Sequence, residues 1–279
     1  MKRLWRPMLW LLSFAVLLGL LFLRPATQAE LQIYFLDVGQ GDAALIRTPS
    51  GDILIDAGPD AAEEELLLRL SRLGVKRLSL LILSHTDEDH VGGADGILRE
   101  IPVDEVWVGA GSAFDEPYRR VLQAVEAGKI PISTPVAGES YECCGLDLFI
   151  LAPIPLSGQL GNNGSLVLRL SYRDEVSALF TGDVDGVVER EILARYSSRI
   201  SSDIYKVPHH GSATGENNQL LSAVRPHYAV ISCGVGNSYG HPHGETLSLL
   251  HASGAEVLRT DRRGEILIEY DGTELKLAP

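Results

Sequence analysis

Cysteine is scarce in this chain: three in 279 residues, two of them adjacent (Cys143, Cys144) and one far away (Cys233). That count supplies no disulfide framework, although a bridge from Cys233 to one of the pair stays open on composition alone. Basic charge is also short, with 24 Lys plus Arg against 37 Asp plus Glu and a net charge of −13. A chain this acidic offers no evident electrostatic footprint for nucleic acid. Long apolar runs are missing after the first 29 residues, which excludes a multi-span membrane architecture for this chain. No internal repeat or low-complexity linker divides it. What is present is an ordinary globular composition, 45% hydrophobic and 22% charged, enough for a large buried core.

Residues 1–29 read as a targeting segment. Lys2, Arg3 and Arg6 precede the apolar run Met8 to Leu23, which Arg24 and Pro25 end; Thr27-Gln28-Ala29 supplies small residues of the kind a signal peptidase cuts after. The run has 16 residues, a little under the ~20 of a spanning helix. A cleaved signal peptide and an uncleaved anchor are both expected forms, with the basic end inside and Trp5 and Trp10 near it. No cysteine follows the run, which excludes lipid attachment at a lipobox. The expected destination is secreted, or held at the cell membrane by this segment alone. The segment takes four basic and no acidic residues, leaving the rest with 20 basic against 37 acidic side chains, a net charge of −17.

From residue 30 to 279 the pattern is that of one α/β domain. Strands are expected at Leu31–Leu36, Ala43–Arg47, Asp52–Ile55, Leu78–Leu83, Glu105–Val108, Leu146–Leu151, Leu166–Ser171, Ser177–Thr181, Ile204–Val207, Tyr228–Ser232 and Glu265–Tyr270. Helices are expected at Ala61–Leu73, Glu116–Ala127, Gly186–Tyr196, Asn218–Val224 and Glu245–Ser253. The uninterrupted apolar run of Leu78–Leu83 suits a strand buried on both faces.

That strand ends in Ser84-His85-Thr86-Asp87-Glu88-Asp89-His90-Val91-Gly92-Gly93. His85, Asp87, Asp89 and His90 place four potential metal ligands within six residues of a buried strand end. Unpaired charges there would cost several kcal/mol. A divalent ion removes that cost and uses the mixed nitrogen and oxygen donors directly. Gly92 and Gly93 are expected to turn the chain into a following helix whose N-terminus adds positive potential.

His85 to Gly93 resembles the HxHxDH signature of the metallo-β-lactamase fold hydrolases, with Asp87 in place of the second histidine. Leu36 to Gly58 (LDVGQGDAALIRTPSGDILIDAG) resembles the first motif of the ComEC/Rec2 competence-protein nuclease branch. So do Asn162-Asn163-Gly164-Ser165, Lys206-Val207-Pro208-His209-His210-Gly211-Ser212 and Tyr239-Gly240-His241-Pro242-His243. Together the matches run from about Leu31 to the C-terminus. The resemblance implies a four-layer αββα sandwich following the N-terminal hydrophobic segment, and two divalent metal ions, Zn²⁺ or Mn²⁺.

It also implies roles. Asp183, in Thr181-Gly182-Asp183, corresponds to an aspartate that bridges two metals, and Asp56 to one that supports a ligand histidine. Adjacent residues at a strand end cannot point the same way, so one of His209 and His210 is expected on metal and the other toward substrate or donating a proton. Related esterases favour His210 as the ligand and His209 as the substrate-facing group. His241, in the glycine-rich loop Gly234–Gly244, is a candidate phosphate or metal contact or proton donor. Asn163, Ser165 and Lys206 are candidate substrate contacts, whereas His227 and His251 have no such setting. With Asp87 and Asn162–Ser165 where many family members carry histidines, the first metal site is short of imidazole, which favours harder ions such as Mn²⁺.

The expected function is an exported metal-dependent phosphodiester hydrolase, by resemblance a nuclease acting on DNA through metal-activated hydroxide. Hydrolysis of a small or surface-attached phosphoester, such as a phosphorylcholine-type substrate, fits the acidic composition better. A non-catalytic DNA-uptake accessory is the alternative outside enzymes. Membrane contact is expected only through the N-terminal segment, and no protein partner is indicated.

Overall fold

Two sets of strands, each sharing an apolar inner face, set the architecture. A computed structural model describes residues 29–110, 115–154, 161–215 and 218–279. The expected targeting segment, apart from its last residue Ala29, lies outside the described residues, among which no helix is long and apolar enough to cross a membrane.

The strands are β1 (Leu31–Phe35), β2 (Ala44–Thr48), β3 (Gly51–Ile55), β4 (Leu80–Leu83), β5 (Val106–Val108), β6 (Ile132–Ser133), β7 (Ser140–Cys143) and β8 (Leu146–Ala152). They continue with β9 (Val167–Tyr172), β10 (Val176–Phe180), β11 (Ile204–Lys206), β12 (Tyr228–Ile231), β13 (Glu256–Arg259), β14 (Ile266–Tyr270) and β15 (Leu275–Leu277). One sheet has the order β15-β14-β1-β2-β3-β4-β5-β6 and the other β13-β12-β11-β10-β9-β8-β7. The N-terminal strand and the C-terminal hairpin are antiparallel neighbours, with Ile33 opposite Ile268. Strands β3 to β6 run parallel, as do β10 to β13.

Three apolar layers separate four structural ones. Between the sheets, Ile33, Phe35, Ile46 and Ile82 meet Ile150, Leu168, Ala178 and Phe180. Outside the first sheet, Leu66 and Leu70 of helix Glu63–Arg72, Ile97 of helix Ala94–Glu100, and Val121 and Val125 of helix Glu116–Gly128 cover Leu54, Leu81 and Leu83. Outside the second, Val188 and Ile192 of helix Gly186–Tyr196, Leu220 and Leu221 of helix Asn218–Val224, and Leu250 of helix Gly244–Ser253 cover Leu179, Tyr205 and Ile231. The result is the four-layer αββα sandwich. Strands such as β4 and β10 are buried along their whole length, because each lies between two of these layers.

The sequence pattern misses four strands. Strands β6 and β7 are edge strands with mostly exposed side chains, and β13 and β15 are only partly covered. None carries an apolar face strong enough to read.

Candidate metal centre

The parallel strands aim their carboxyl ends at one rim of the sandwich, the position at which open α/β sheets build sites. Asp56 directly follows β3, Ser84 and His85 follow β4, Asp183 follows β10, His209 and His210 follow β11, and Ser232 follows β12. After β4, a helix already begins at Glu88 and runs to Val91, carrying His90 inward to complete burial. This corrects the expected role of the glycines. Gly92 is in ordinary helical conformation, and a Cβ there would strike the Pro59 and Asp60 backbone. Its missing side chain therefore permits close packing rather than a turn.

Three imidazoles are fixed through Nδ1. His90 Nδ1 lies 3.0 Å from Asp56 Oδ2. His210 Nδ1 lies 3.1 Å from the Ser232 carbonyl oxygen, and His85 Nδ1 lies 3.1 Å from Ser84 Oγ. Holding one ring nitrogen on the protein frees Nε2 as a ligand, the usual division of labour at metal-binding histidines. His90 Nε2 approaches Asp183 Oδ1 at 3.3 Å, and His210 Nε2 lies 3.1 Å from Asp89 Oδ2 and 3.4 Å from Asp183 Oδ2. Ligand atoms of Asp89, His90, Asp183 and His210 all lie within 4.8 Å of one another. The His85 ring packs on His90 with centroids 4.1 Å apart, and its Nε2 is 3.6 Å from Asp87 Oδ2.

Electrostatics single out this cluster. Burial would raise the Asp183 carboxyl, but the His210 and His90 imidazoles outweigh it and hold Asp183 well below the usual carboxylate range. Burial would likewise lower His90 and His210, yet Asp183 with Asp56 or Asp42 pushes each well above an ordinary imidazole. The carboxylates and imidazoles of the cluster thus favour each other's charged forms. Even so, His85 Nε2, His90 Nε2 and Asp183 Oδ1 are buried without a hydrogen-bond partner. Orphaned donors and acceptors of this kind are costly. A divalent cation would satisfy His90 Nε2 and Asp183 Oδ1 together, and the two-imidazole, two-carboxylate set of Asp89, His90, Asp183 and His210 suits a borderline ion.

Residues 36–235 match the metallo-beta-lactamase superfamily. The chain belongs to that superfamily. Among its curated relatives, it is 32% identical over 269 residues to ComE operon protein 3 of Bacillus subtilis, covering 90% of this chain and 34% of that protein. It is 34% identical over 272 residues to Recombination protein 2 of Haemophilus influenzae, covering 96% and 32% respectively. These relatives bear out the ComEC/Rec2 likeness, and the chain spans about a third of their length. The fold is shared with the metallo-beta-lactamase fold protein YhfI of Bacillus subtilis, at a TM-score of 0.58 and 11% identity over 87% of this chain and 100% of that one.

Within this superfamily frame, the remaining predicted site residues fall into two groups. His209 and His210 sit in a tight turn, both in left-handed conformation (φ 48° and 54°), rather than at a strand end. The turn buries His210 in the cluster and leaves His209 at its mouth, with Nε2 3.9 Å from Asp183 Oδ2. Burial lowers His209. Burial, together with the His210, His209 and His243 rings, takes His241 down to about 4. Both shifts favour the uncharged ring, the form in which an imidazole accepts a proton.

The three expected substrate contacts are committed elsewhere. Lys206 is 4% exposed, and its Nζ lies 2.7 Å from Asp42 Oδ2 and donates to the Val207 carbonyl. Asn163 uses both ends of its amide on Asp185, the N-cap of helix Gly186–Tyr196. Ser165 is fully buried, donates to the Asn162 carbonyl and accepts from the Asp183 amide at 3.2 Å. Lys206 and Ser165 are thus buried in the site's framework, whereas Asn163 is half-buried where it braces Asp185.

Asp42 is the buried site residue that sequence reasoning overlooked. It approaches His210 Nδ1 at 3.5 Å and His90 Nδ1 at 4.0 Å, besides Lys206. Its backbone amide donates to the Asp89 carbonyl. A Cβ at the preceding Gly41 would strike that same carbonyl oxygen. The available signal was a charged residue wedged between Gly41 and the apolar start of β2. Ser84 was passed over too: its hydroxyl donates to Asp56 Oδ2 at 2.8 Å.

Proposed function

We propose that this chain is a metal-dependent phosphodiesterase whose substrate is DNA. The observation that carries the reading is the convergence of Asp89, His90, Asp183 and His210, with the facing Nε2 and Oδ1 atoms of His90 and Asp183 left unsatisfied. Relatives named for competence and recombination favour DNA among phosphodiesters. In this proposal Asp89, His90, Asp183 and His210, with His85 and Asp87 beside them, would hold two divalent ions, Zn²⁺ or Mn²⁺. When bound, such ions polarise a phosphoryl oxygen and acidify water.

The chain's own groups do the remaining work. Asp56 fixes the His90 tautomer from Nδ1, and the Ser232 carbonyl does the same for His210. His209 Nε2, at the mouth beside Asp183, would accept a proton from water or, in its N–H tautomer, donate to a non-bridging phosphate oxygen. His241, ring to ring with both His209 and His210, lines the same opening. The N-terminal segment would carry the domain out of the cytoplasm, cleaved or as an anchor.

The net charge of −13 favours one rival, a compact phosphodiester such as a phosphorylcholine-type substrate, because a polyanion meets repulsion beyond the metal pocket. Assaying residues 30–279 against single-stranded and supercoiled DNA, RNA and a bis-aryl phosphodiester, with Mn²⁺ and with Zn²⁺, separates the two. DNA turnover that needs added metal supports the proposal. Turnover of the aryl diester with intact DNA supports the rival.

A further inference from the structure

The loop between Gly234 and Gly244 carries two large exposed side chains at the rim of the metal cluster: Tyr239, 65% exposed, and Val235, 81% exposed. The Tyr239 ring lies stacked beside His241, with centroids 5.6 Å apart and planes within 20°. His241 in turn stacks beside His210, at 6.2 Å and 28°. A staircase of three nearly parallel rings therefore leads from the buried ligand cluster to solvent, and the phenol is its outer step.

The staircase is held in place. The Asn237 amide donates to the carbonyls of Gly234 and His241 and accepts from the His241 backbone amide. Gln40 Oε1 accepts from the Gly234 amide, and His243 Nδ1 accepts from the Ala213 amide. An exposed aromatic on a braced loop presents its face at little ordering cost, the property expected of a contact surface.

We infer that Tyr239 is a stacking platform for an unpaired nucleobase, which docks a single-stranded nucleic acid so that a neighbouring phosphodiester lies over the Asp89–Asp183 cluster. This rests on the phosphodiesterase proposal and specifies its substrate as single-stranded. Stacking supplies affinity that is tolerant of sequence and independent of basic side chains. That matters here, because Lys206 beside the cluster is already paired with Asp42. A duplex keeps its bases stacked on each other and offers Tyr239 none, which makes the platform selective for strand state.

The test uses the full chain with Mn²⁺ and two oligonucleotides of equal length, poly-dT and the same backbone with abasic positions. The wild type is expected to show a KM for poly-dT about tenfold or more below that for the abasic strand. Tyr239→Ala should raise the poly-dT KM to the abasic value, and Tyr239→Phe should restore it, since stacking needs the ring and not the hydroxyl. Equal KM values for the two strands in the wild type, or an unaltered ratio in Tyr239→Ala, overturn the inference alone. Cleavage of neither strand alongside turnover of supercoiled DNA overturns the inference alone, and turnover of no DNA overturns the phosphodiesterase proposal with it.

Discussion

Lys206 and Asp42 form a buried ion pair, 2.7 Å from Nζ to Oδ2, directly behind the imidazoles of His90 and His210. It ties β11 of one sheet to the segment before β2 of the other. Burial would raise the Asp42 carboxyl, but Lys206 foremost, with His210 and His90, drives it far below the ordinary range.

Breaking this pair should cost stability first. Lys206→Met leaves the Asp42 charge buried with less compensation, so urea unfolding should show a loss of about 3–5 kcal/mol. Replacing both partners, as Asp42→Leu with Lys206→Met, should recover part of that loss. A Lys206→Met protein of unchanged stability but raised substrate KM would mean that Lys206 reaches a phosphate after all.

In the proposed site, Asp56 would act on metal through His90. Its backbone is left-handed at φ 58°, a conformation asparagine tolerates. Asp56→Asn should therefore fold, yet lose the carboxylate that orients His90 Nδ1. Competition titration with a chelating dye should show affinity for Zn²⁺ lower by about 10- to 100-fold. Unaltered affinity would remove Asp56 from the site.

Gly92 offers a packing test. Added methyl groups in close-packed interiors cost about 1–3 kcal/mol, and more when backbone must move. Because a Cβ at Gly92 meets the Pro59 and Asp60 backbone, Gly92→Ala should fall at or above the top of that range in thermal or urea unfolding. A loss below 0.5 kcal/mol, roughly the spread of ordinary surface changes, would show that the helix can shift freely.

Cys143 and Cys144 are free thiols with sulfurs 3.6 Å apart. The hydrogen bond with Cys143 foremost, and Ser79 after it, takes Cys144 down to about 6 despite its partial burial, and the same bond pushes Cys143 up. Thiolate is the nucleophile, so iodoacetamide should label Cys144 before Cys143, with a rate rising through a midpoint near pH 6. A midpoint above 8 would show that the pair does not share a proton in this way.

The sandwich is legible in the sequence wherever strands are buried on both faces. Leu80–Leu83 and Val176–Phe180 read directly as apolar runs, whereas the edge strands Ile132–Ser133 and Ser140–Cys143 do not, because their side chains face solvent. The ligand cluster is legible for the same reason: His85, Asp89 and His90 follow a buried strand, and charges there need partners. Side-chain direction is what the linear sequence withholds. Lys206, at the end of a three-residue strand, reads as a phosphate contact or a surface cation, and only the approach of Asp42 from the other sheet shows it as a buried partner. His209 and His210 follow a strand but turn through left-handed geometry that no local pattern announces.

The most direct test of the proposed metal chemistry is elemental analysis of the purified wild type, Asp89→Ala and Asp183→Ala proteins, each assayed for DNA hydrolysis on the same preparation. The expected wild type carries divalent metal, or takes it up from added Mn²⁺, and hydrolyses DNA; both variants lose metal and hydrolysis together while keeping the wild-type circular dichroism spectrum. Retained DNase activity in both variants, or a wild type that neither binds metal nor cuts DNA with Mn²⁺ supplied, would contradict it.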